Sequence, residues 1–249
     1  MAEKKDLTGK VALVSGGSRG IGAAVALRLA RDGARIVVGY RADVASAERV
    51  IAELAAAGSA GHAVAADIAR PDECERLVAQ ALEIFGRLDI LANVAGVAAY
   101  LPLAKADADH FHTTFDANVL GALALTRAAA PVMTAPGGRI IHFSSRLAQT
   151  PLAGSAVYAA SKAAVSALVL ALAQELGPLG ITINAVAPGV IETDMTAGVI
   201  RERGEAIRSQ TPLRRIGQPE DIAGLVAFLA SDDGGWINGR TIRADGGML

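Results

Sequence analysis

The sequence predicts a doubly wound α/β domain with a central, mostly parallel seven-stranded sheet and helices on both faces. Short apolar runs rich in β-branched residues alternate along the 249-residue chain with periodic segments of ten or more residues. The runs are continuously apolar rather than alternating, as in parallel strands covered on both faces. Glycine and proline are spread along the chain, with no linker composition and no solenoid repeat, so residues 1–249 read as one domain.

The elements follow in order. Residues 11–15 (VALVS) form an apolar run that ends in glycines, and a helical segment over 20–32 follows, giving a strand, a turn and a helix. The unit recurs with strand 35–39, helix 46–57, strand 62–66 and helix 71–85, which starts on Pro71 at a first helical position. Strand 88–93, helix 109–130, strand 139–144, the long helix 155–176 and strand 181–187 come next, with Gly177 and Gly180 marking the end of the long helix. A polar, arginine-bearing stretch runs to Gln218, before a helix over 219–230 and a last strand over 240–243.

Composition excludes several classes of function. A formal net charge of -1 leaves no basic excess to neutralise phosphates, so nucleic-acid binding is not expected. The single cysteine, Cys74, forms no internal disulfide and fits a reducing compartment. The charged start, MAEKKD, is not followed by the apolar stretch of a secretory signal, and the longest membrane candidate, 163–173, is short of the roughly 18 apolar residues of a span. A soluble cytoplasmic protein is the expectation. His110 and His112 would diverge on a helix, so no metal site is expected. Alanine makes up roughly a fifth of the chain, well above ordinary usage, and lets helices approach the sheet closely.

In an open parallel sheet, ligands bind beyond the carboxyl ends of the strands. After the first strand the chain reads Ser15-Gly16-Gly17-Ser18-Arg19-Gly20-Ile21-Gly22 and enters a helix. There unpaired backbone N–H groups and the positive end of the helix dipole suit a pyrophosphate, and glycine lets it come close. The alternative is an ordinary tight strand-to-helix turn. An NAD site usually has an acidic residue at the end of the second strand. Here that strand ends Val38-Gly39-Tyr40-Arg41, and Asp43 sits where it could cap the next helix. Arg19 and Arg41 could hold a ribose phosphate, which predicts NADP(H), with NAD(H) as the alternative; both arginines could equally be solvated surface residues.

Tyr158 and Lys162 stand four apart on one face of the long helix. A nearby ammonium lowers a phenol's pKa toward the range of a working acid or base. The preceding strand ends in Ser144-Ser145, where a hydroxyl could hydrogen-bond charge developing on a carbonyl oxygen.

Together, the segment from Ser15 to Gly22, Asn93-Val94-Ala95-Gly96, Asn118, Ser145, Tyr158-Ala159-Ala160-Ser161-Lys162 and Pro188-Gly189 resemble the classical short-chain dehydrogenase/reductase family over essentially the whole chain. Ser145 precedes Tyr158 by 13 positions, and the glycine turn opens the first strand-helix-strand unit. The resemblance implies a Rossmann-like domain, commonly a homotetramer, that interconverts a ketone and a secondary alcohol with NADP(H); the alternatives are an NAD-dependent alcohol dehydrogenase of the same family and a non-catalytic nucleotide-sensing regulator. It implies Tyr158 as acid/base, Lys162 as the residue that lowers its pKa and holds the nicotinamide ribose, Ser145 as the group orienting the substrate oxygen, and Asn118 as the anchor of a water relay behind Lys162. Gly16, Ser18, Arg19, Gly20, Ile21, Gly22, Tyr40, Arg41, Asp67, Ile68, Asn93, Ala95, Gly96, Pro188, Gly189 and Thr193 would line the cofactor, with Asp67 and Ile68 at the adenine. Val94 replaces the family's second asparagine, and Ser15 its usual threonine.

The stretches 188–196, 215–221 and 244–248 resemble 3-oxoacyl-acyl-carrier-protein reductases, which suggests a 3-oxoacyl thioester or a related small carbonyl compound. Residues 133–138 and 172–176, where such enzymes present basic side chains to an acidic carrier, contain neither lysine nor arginine, so steering of a carrier protein would be weak. Within a lid-like segment over about 190–217 and at its edge lie Arg201, Arg203, Arg208, Arg214 and Arg215, which either meet an anionic substrate or form a solvated face with Glu202 and Glu205. Alanines on several sides of the 155–176 helix fit packing against a second subunit, or burial within one chain.

Overall fold

A computed structural model describes residues 7–248, so the charged start of the chain, read above as no secretory signal, lies outside the described residues. Seven parallel strands form one sheet in the order β3-β2-β1-β4-β5-β6-β7: β1 Val11–Ser15, β2 Arg35–Tyr40, β3 Gly61–Ala65, β4 Ile90–Asn93, β5 Arg139–Phe143, β6 Thr182–Pro188 and β7 Thr241–Ala244. The expected mostly parallel sheet is parallel throughout. Between the strands run α1 Gly20–Arg31, α2 Val44–Ala56, α3 Pro71–Phe85, α4 Ala108–Phe115, α5 Gly121–Ala129, α6 Ala156–Leu176, α7 Ala197–Gln210 and α8 Pro219–Ala230.

The uninterrupted apolar character of the strands has a direct cause. Along β1, Ala12 and Val14 join a core with Val25 and Leu29 of α1 and Ile222 and Val226 of α8, while Leu13 joins a second core with Leu77 of α3, Leu125 of α5 and Val169 of α6. The central strands β1, β4, β5 and β6 therefore bury both of their faces, whereas the edge strand β3 leaves His62, Ala63 and Ala65 exposed. The order reverses between β1 and β4, which places the carboxyl ends of those two strands at the switch point where ligands bind.

Three expectations are corrected. The helix expected over 109–130 is broken by a π-helical turn, Asp116–Leu120, between α4 and α5. Such turns insert one extra residue and are frequent at functional sites. The arginine-bearing stretch before α8 contains α7, held by Ile207 and Ile200 against Ile216 and Met248. The apolar stretch of the long helix extends beyond 163–173: within Ala156–Leu179 an 18-residue window reaches a mean hydropathy of 1.8, long and apolar enough to cross a membrane by length and composition. Its length is used instead to pack along β5 and β6, with Lys162, Val165 and Val169 buried.

Opposite the switch point, Asp89 ties the other ends of the central strands together. Its carboxylate accepts two hydrogen bonds from the Arg87 guanidinium, at 2.9 and 2.7 Å, and one from the Val11 amide at 2.9 Å. Burial would raise its pKa, but Arg87 and the Val11 amide outweigh burial and hold it below the ordinary value. The stabilisation is therefore complete above the unfolded carboxyl's pKa and is lost as pH falls through the lower folded value. Asp89→Asn is expected to cost about 2 kcal/mol at neutral pH, and thermal melts should show the gap to wild type closing below about pH 4.

Candidate active site

The glycine turn after β1 is shaped by contacts that only glycine permits. Gly16 has φ +64°, and a Cβ there would stand 2.8 Å from Ala95 Cα. One on Gly22 would stand 2.0 Å from the Gly16 carbonyl oxygen, and one on Gly20, with φ +53°, 3.1 Å from Thr193 Cγ2. The turn thus presses on the segment after β4 and is met by the segment after β6. No side chain caps α1 at Arg19, so the first N–H groups of the helix have no side-chain partner there.

A buried polar chain fixes this arrangement. Ser15 Oγ donates to Asn93 Oδ1 at 2.5 Å and accepts from the Ala95 amide at 3.3 Å. Asn93 Nδ2 meets His142 Nδ1 at 3.2 Å, and His142 Nε2 meets Thr126 Oγ1 at 2.8 Å. The chain crosses β1, β4 and β5 and ends on α5, where Thr126 donates to the Ala122 carbonyl. Burial, with Lys162 nearby, pushes His142 down to about 4, so it stays neutral and both ring nitrogens find partners. His142 was not singled out in the sequence, where it reads as one more residue of an apolar strand.

Next to this chain, the π-helical turn presents Asn118. Its Oδ1 accepts from the Val97 amide at 2.9 Å, and its Nδ2 donates to the Val97 carbonyl and to Ser161 Oγ, each at 3.0 Å. A Cβ on Gly96 would stand 2.8 Å from Asn118 Oδ1 and 3.3 Å from Lys162 Nζ, so glycine there lets α6 and the turn close on the loop after β4.

Ser145, Tyr158 and Lys162 converge at the end of β5. Ser145 Oγ accepts the Leu147 amide at 3.2 Å, and its hydroxyl lies near enough to the Tyr158 phenol to favour the phenolate. Lys162 is buried, and its ammonium donates to the Phe143 carbonyl at 2.8 Å while lying 5.9 Å from the centre of the Tyr158 ring. The expectation that Lys162 lowers the phenol's pKa is not met in this arrangement. Burial, with Tyr100 adding to it and Ser145 opposing, pushes Tyr158 up to about 12. Burial is the first cause, and the ammonium, whose own pKa burial pushes down to about 8, is bonded to the Phe143 carbonyl rather than to the phenol.

The far end of the cleft lies over β2 and β3. Tyr40 ends β2 with no carboxylate beside it, and Asp43 caps α2 by accepting the Ser46 amide at 3.0 Å. The Ser46 contacts come first in holding Asp43 below its ordinary pKa, and Arg19 also contributes, which places the Arg19 guanidinium near the turn that carries Arg41. Arg19 and Arg41 are both exposed, and Arg19 also reaches Asp194 at 3.9 Å. Asp67 Oδ1 accepts the Ala69 amide at 3.0 Å. Ile68 is buried, and its carbonyl lies 2.6 Å from where Gly121 would carry a Cβ. Gly189, after Pro188, packs on Asp245, with 2.8 Å from its absent Cβ to Asp245 Cα.

This geometry coincides with what comparison with known proteins finds. A family model described as enoyl-(acyl carrier protein) reductase matches residues 16–249. The chain belongs to the short-chain dehydrogenase/reductase family, whose members are oxidoreductases. It is 45% identical to an uncharacterised oxidoreductase of Methylorubrum extorquens, over 97% of this chain and 98% of that one. It is 40% identical to a 3-oxoacyl-[acyl-carrier-protein] reductase of Synechocystis, over 98% of each chain. A short-chain dehydrogenase from Burkholderia cenocepacia, solved in complex with NADP, superposes with a TM-score of 0.92 at 42% identity, over 97% of this chain and 98% of that one.

Of the arginines flagged in the lid-like segment of this oxidoreductase, two are held by carboxylates. Arg215 grips Asp221 at 2.5 and 2.7 Å, bracing the start of α8, and Arg208 meets Glu205 at 3.5 Å. Two residues at the cleft were not flagged in the sequence. The Tyr100 ring stands edge-on to Tyr158 with centroids 5.5 Å apart, and Arg146 directly follows Ser145.

Lys162 carries a cost in stability. Below about pH 8 its charge is present in both folded and unfolded chains and the burial penalty is complete; as pH rises above 8 the folded amine goes neutral first and the penalty fades. Lys162→Met, which keeps the volume, is expected to gain on the order of 2 kcal/mol at pH 7 even after losing the bond to Phe143. Chemical denaturation should show that gain shrinking by pH 10.

Proposed function

We propose that the protein interconverts a ketone and a secondary alcohol with NADP(H), using Tyr158 as acid/base. The observation that carries this reading is the Tyr158 phenol, set beside Ser145 and Lys162 at the same sheet edge as the glycine turn before α1. When bound, the nicotinamide would supply or accept the hydride.

The chain's residues fit that cofactor. The N–H groups after Arg19, with Gly16, Ser18, Gly20, Ile21 and Gly22, would take the pyrophosphate. Asp67 and Ile68 would meet the adenine, and Asn93, Ala95, Gly96, Pro188, Gly189 and Thr193 would line the rest of the cleft. Arg19 and Arg41, with Tyr40 and no acidic side chain at the end of β2, favour a ribose phosphate and hence NADP(H) over NAD(H). The NADP complex of the Burkholderia relative supports the same choice.

In the reducing direction Tyr158 donates its proton to the carbonyl oxygen. A phenol at about 12 remains protonated at neutral pH and serves as an acid. Ser145 orients that oxygen by hydrogen bonding. Lys162 holds the nicotinamide ribose, and Asn118 orders water behind it. A 3-oxoacyl thioester or a related small carbonyl compound is the substrate class, which the Synechocystis relative's name supports. Weak electrostatic steering argues against an acyl carrier protein as the partner that presents it. A single domain with residues 190–217 as lid, a homotetramer with α6 at a subunit contact, and a cytoplasmic location complete the reading.

Steady-state NADPH oxidation with a 3-oxoacyl thioester and with the matching keto ester tests it. Tyr158→Phe should lower kcat about 1000-fold with NADPH still bound. Turnover of the keto ester alone would remove the acyl-thioester reading, and NADPH binding without turnover of either would favour a nucleotide sensor. Arg41→Asp should shift the NADPH:NADH preference toward NADH by about tenfold or more. Reduction should be steady up to about pH 7.5 and fall above about 8, as Lys162 loses its proton.

A further inference from the structure

The cleft wall beside Ser145 carries a charge that the reduction of a simple ketone does not need. Arg146 is half-buried and makes no ion pair among the described residues. Its side chain makes one hydrogen bond, from Nη1 to Thr150 Oγ1 at 3.2 Å, out of the five N–H donors of a guanidinium. The carboxylate within its electrostatic reach, Asp245, is already taken by Arg243, whose Nε donates to it at 2.6 Å. Two guanidinium groups and one carboxylate leave this corner positive.

The corner lies close to the reacting groups. The Tyr100 hydroxyl lies within electrostatic reach of Arg146, and the Tyr100 ring is the one that stands edge-on to Tyr158. Ser145, which lies near the Tyr158 phenol, is the residue before Arg146. The Tyr100 ring thus links the guanidinium, with its unused donors, to the side of Tyr158. A half-buried guanidinium with unused donors suits a planar, bidentate anion, and a carboxylate matches its geometry.

We propose that Arg146 anchors a carboxylate carried on the same molecule as the reacting carbonyl, so that the substrate is a compact oxo acid. This rests on the reductase reading and narrows its substrate class. Arg146 is then a specificity-determining residue, and the acidic substrate, rather than its ester or a neutral ketone, is the one oriented toward Tyr158 and Ser145.

The test compares 4-oxopentanoate with its methyl ester as substrates, and pentanoate with methyl pentanoate as non-reducible ligands followed by calorimetry. Wild type should favour the oxo acid over its ester at least tenfold in kcat/KM, mostly through KM, and should bind pentanoate but not methyl pentanoate. Arg146→Gln should abolish the preference and weaken pentanoate at least tenfold, and Arg146→Lys should restore part of both. An acid preference that survives in Arg146→Gln, equal use of acid and ester by wild type, or failure of wild type to bind pentanoate would overturn the proposal. Pentanoate binding that depends on Arg146, with no reduction of either compound, would uphold the anchor and overturn the reductase reading instead.

Discussion

The contact on which this structure depends is the close approach of the glycine turn after β1 to the segment after β4. Gly16 and Ala95 meet where a Cβ could not be placed, and the chain from Ser15 through Asn93 and His142 to Thr126 holds the two segments in that position from below. Each buried polar atom in the chain has a partner, so the network fixes one geometry rather than weakening the core. The cradle at α1, the loop that carries Gly96 and the sheet edge that carries Ser145 are consequences of that contact. Thr193 extends it by closing on Gly20 from the far side.

Above this frame the site accepts local costs. Lys162 is a buried ammonium, Tyr158 a phenol raised by burial, and the helix before Asn118 is interrupted by a π-helical turn. These features are tolerated because both faces of the sheet are filled with aliphatic side chains, each worth roughly 1.5–3 kcal/mol when fully buried. The division is spatial: the apolar cores lie along the strands, and the departures from ordinary packing gather beyond their carboxyl ends.

Much of this was legible in the sequence. Continuous apolar strands between periodic segments gave away a sheet buried on both faces, and the positions of Tyr158, Lys162 and Ser145 after the fifth strand marked the site. Asp43 was read as a possible cap and is one. Other features depend on tertiary contacts with no local signature. The π-helical turn follows from how Asn118 pairs with Val97, a residue 21 positions away. Helix α7 has a charged sequence interrupted by Gly198 and Gly204, and only Ile200 and Ile207 show the face that packs. The spacing of Tyr158 and Lys162 set them on one face, but whether the ammonium meets the phenol or a carbonyl depends on where β5 ends. Arg146 looked like one arginine among many, and its neighbours show that it forms no ion pair among the described residues.

The central claim is that this sheet edge performs hydride transfer to a carbonyl carbon with protonation by Tyr158. Reduction with NADPH deuterated at the transferable position, followed by mass spectrometry and NMR of the product, tests it most directly. The account predicts an alcohol carrying one deuterium on the carbinol carbon, of one stereochemistry, formed by wild type and not by Tyr158→Phe. An alcohol without deuterium at that carbon, or equal labelling by the Tyr158 variant, would contradict it.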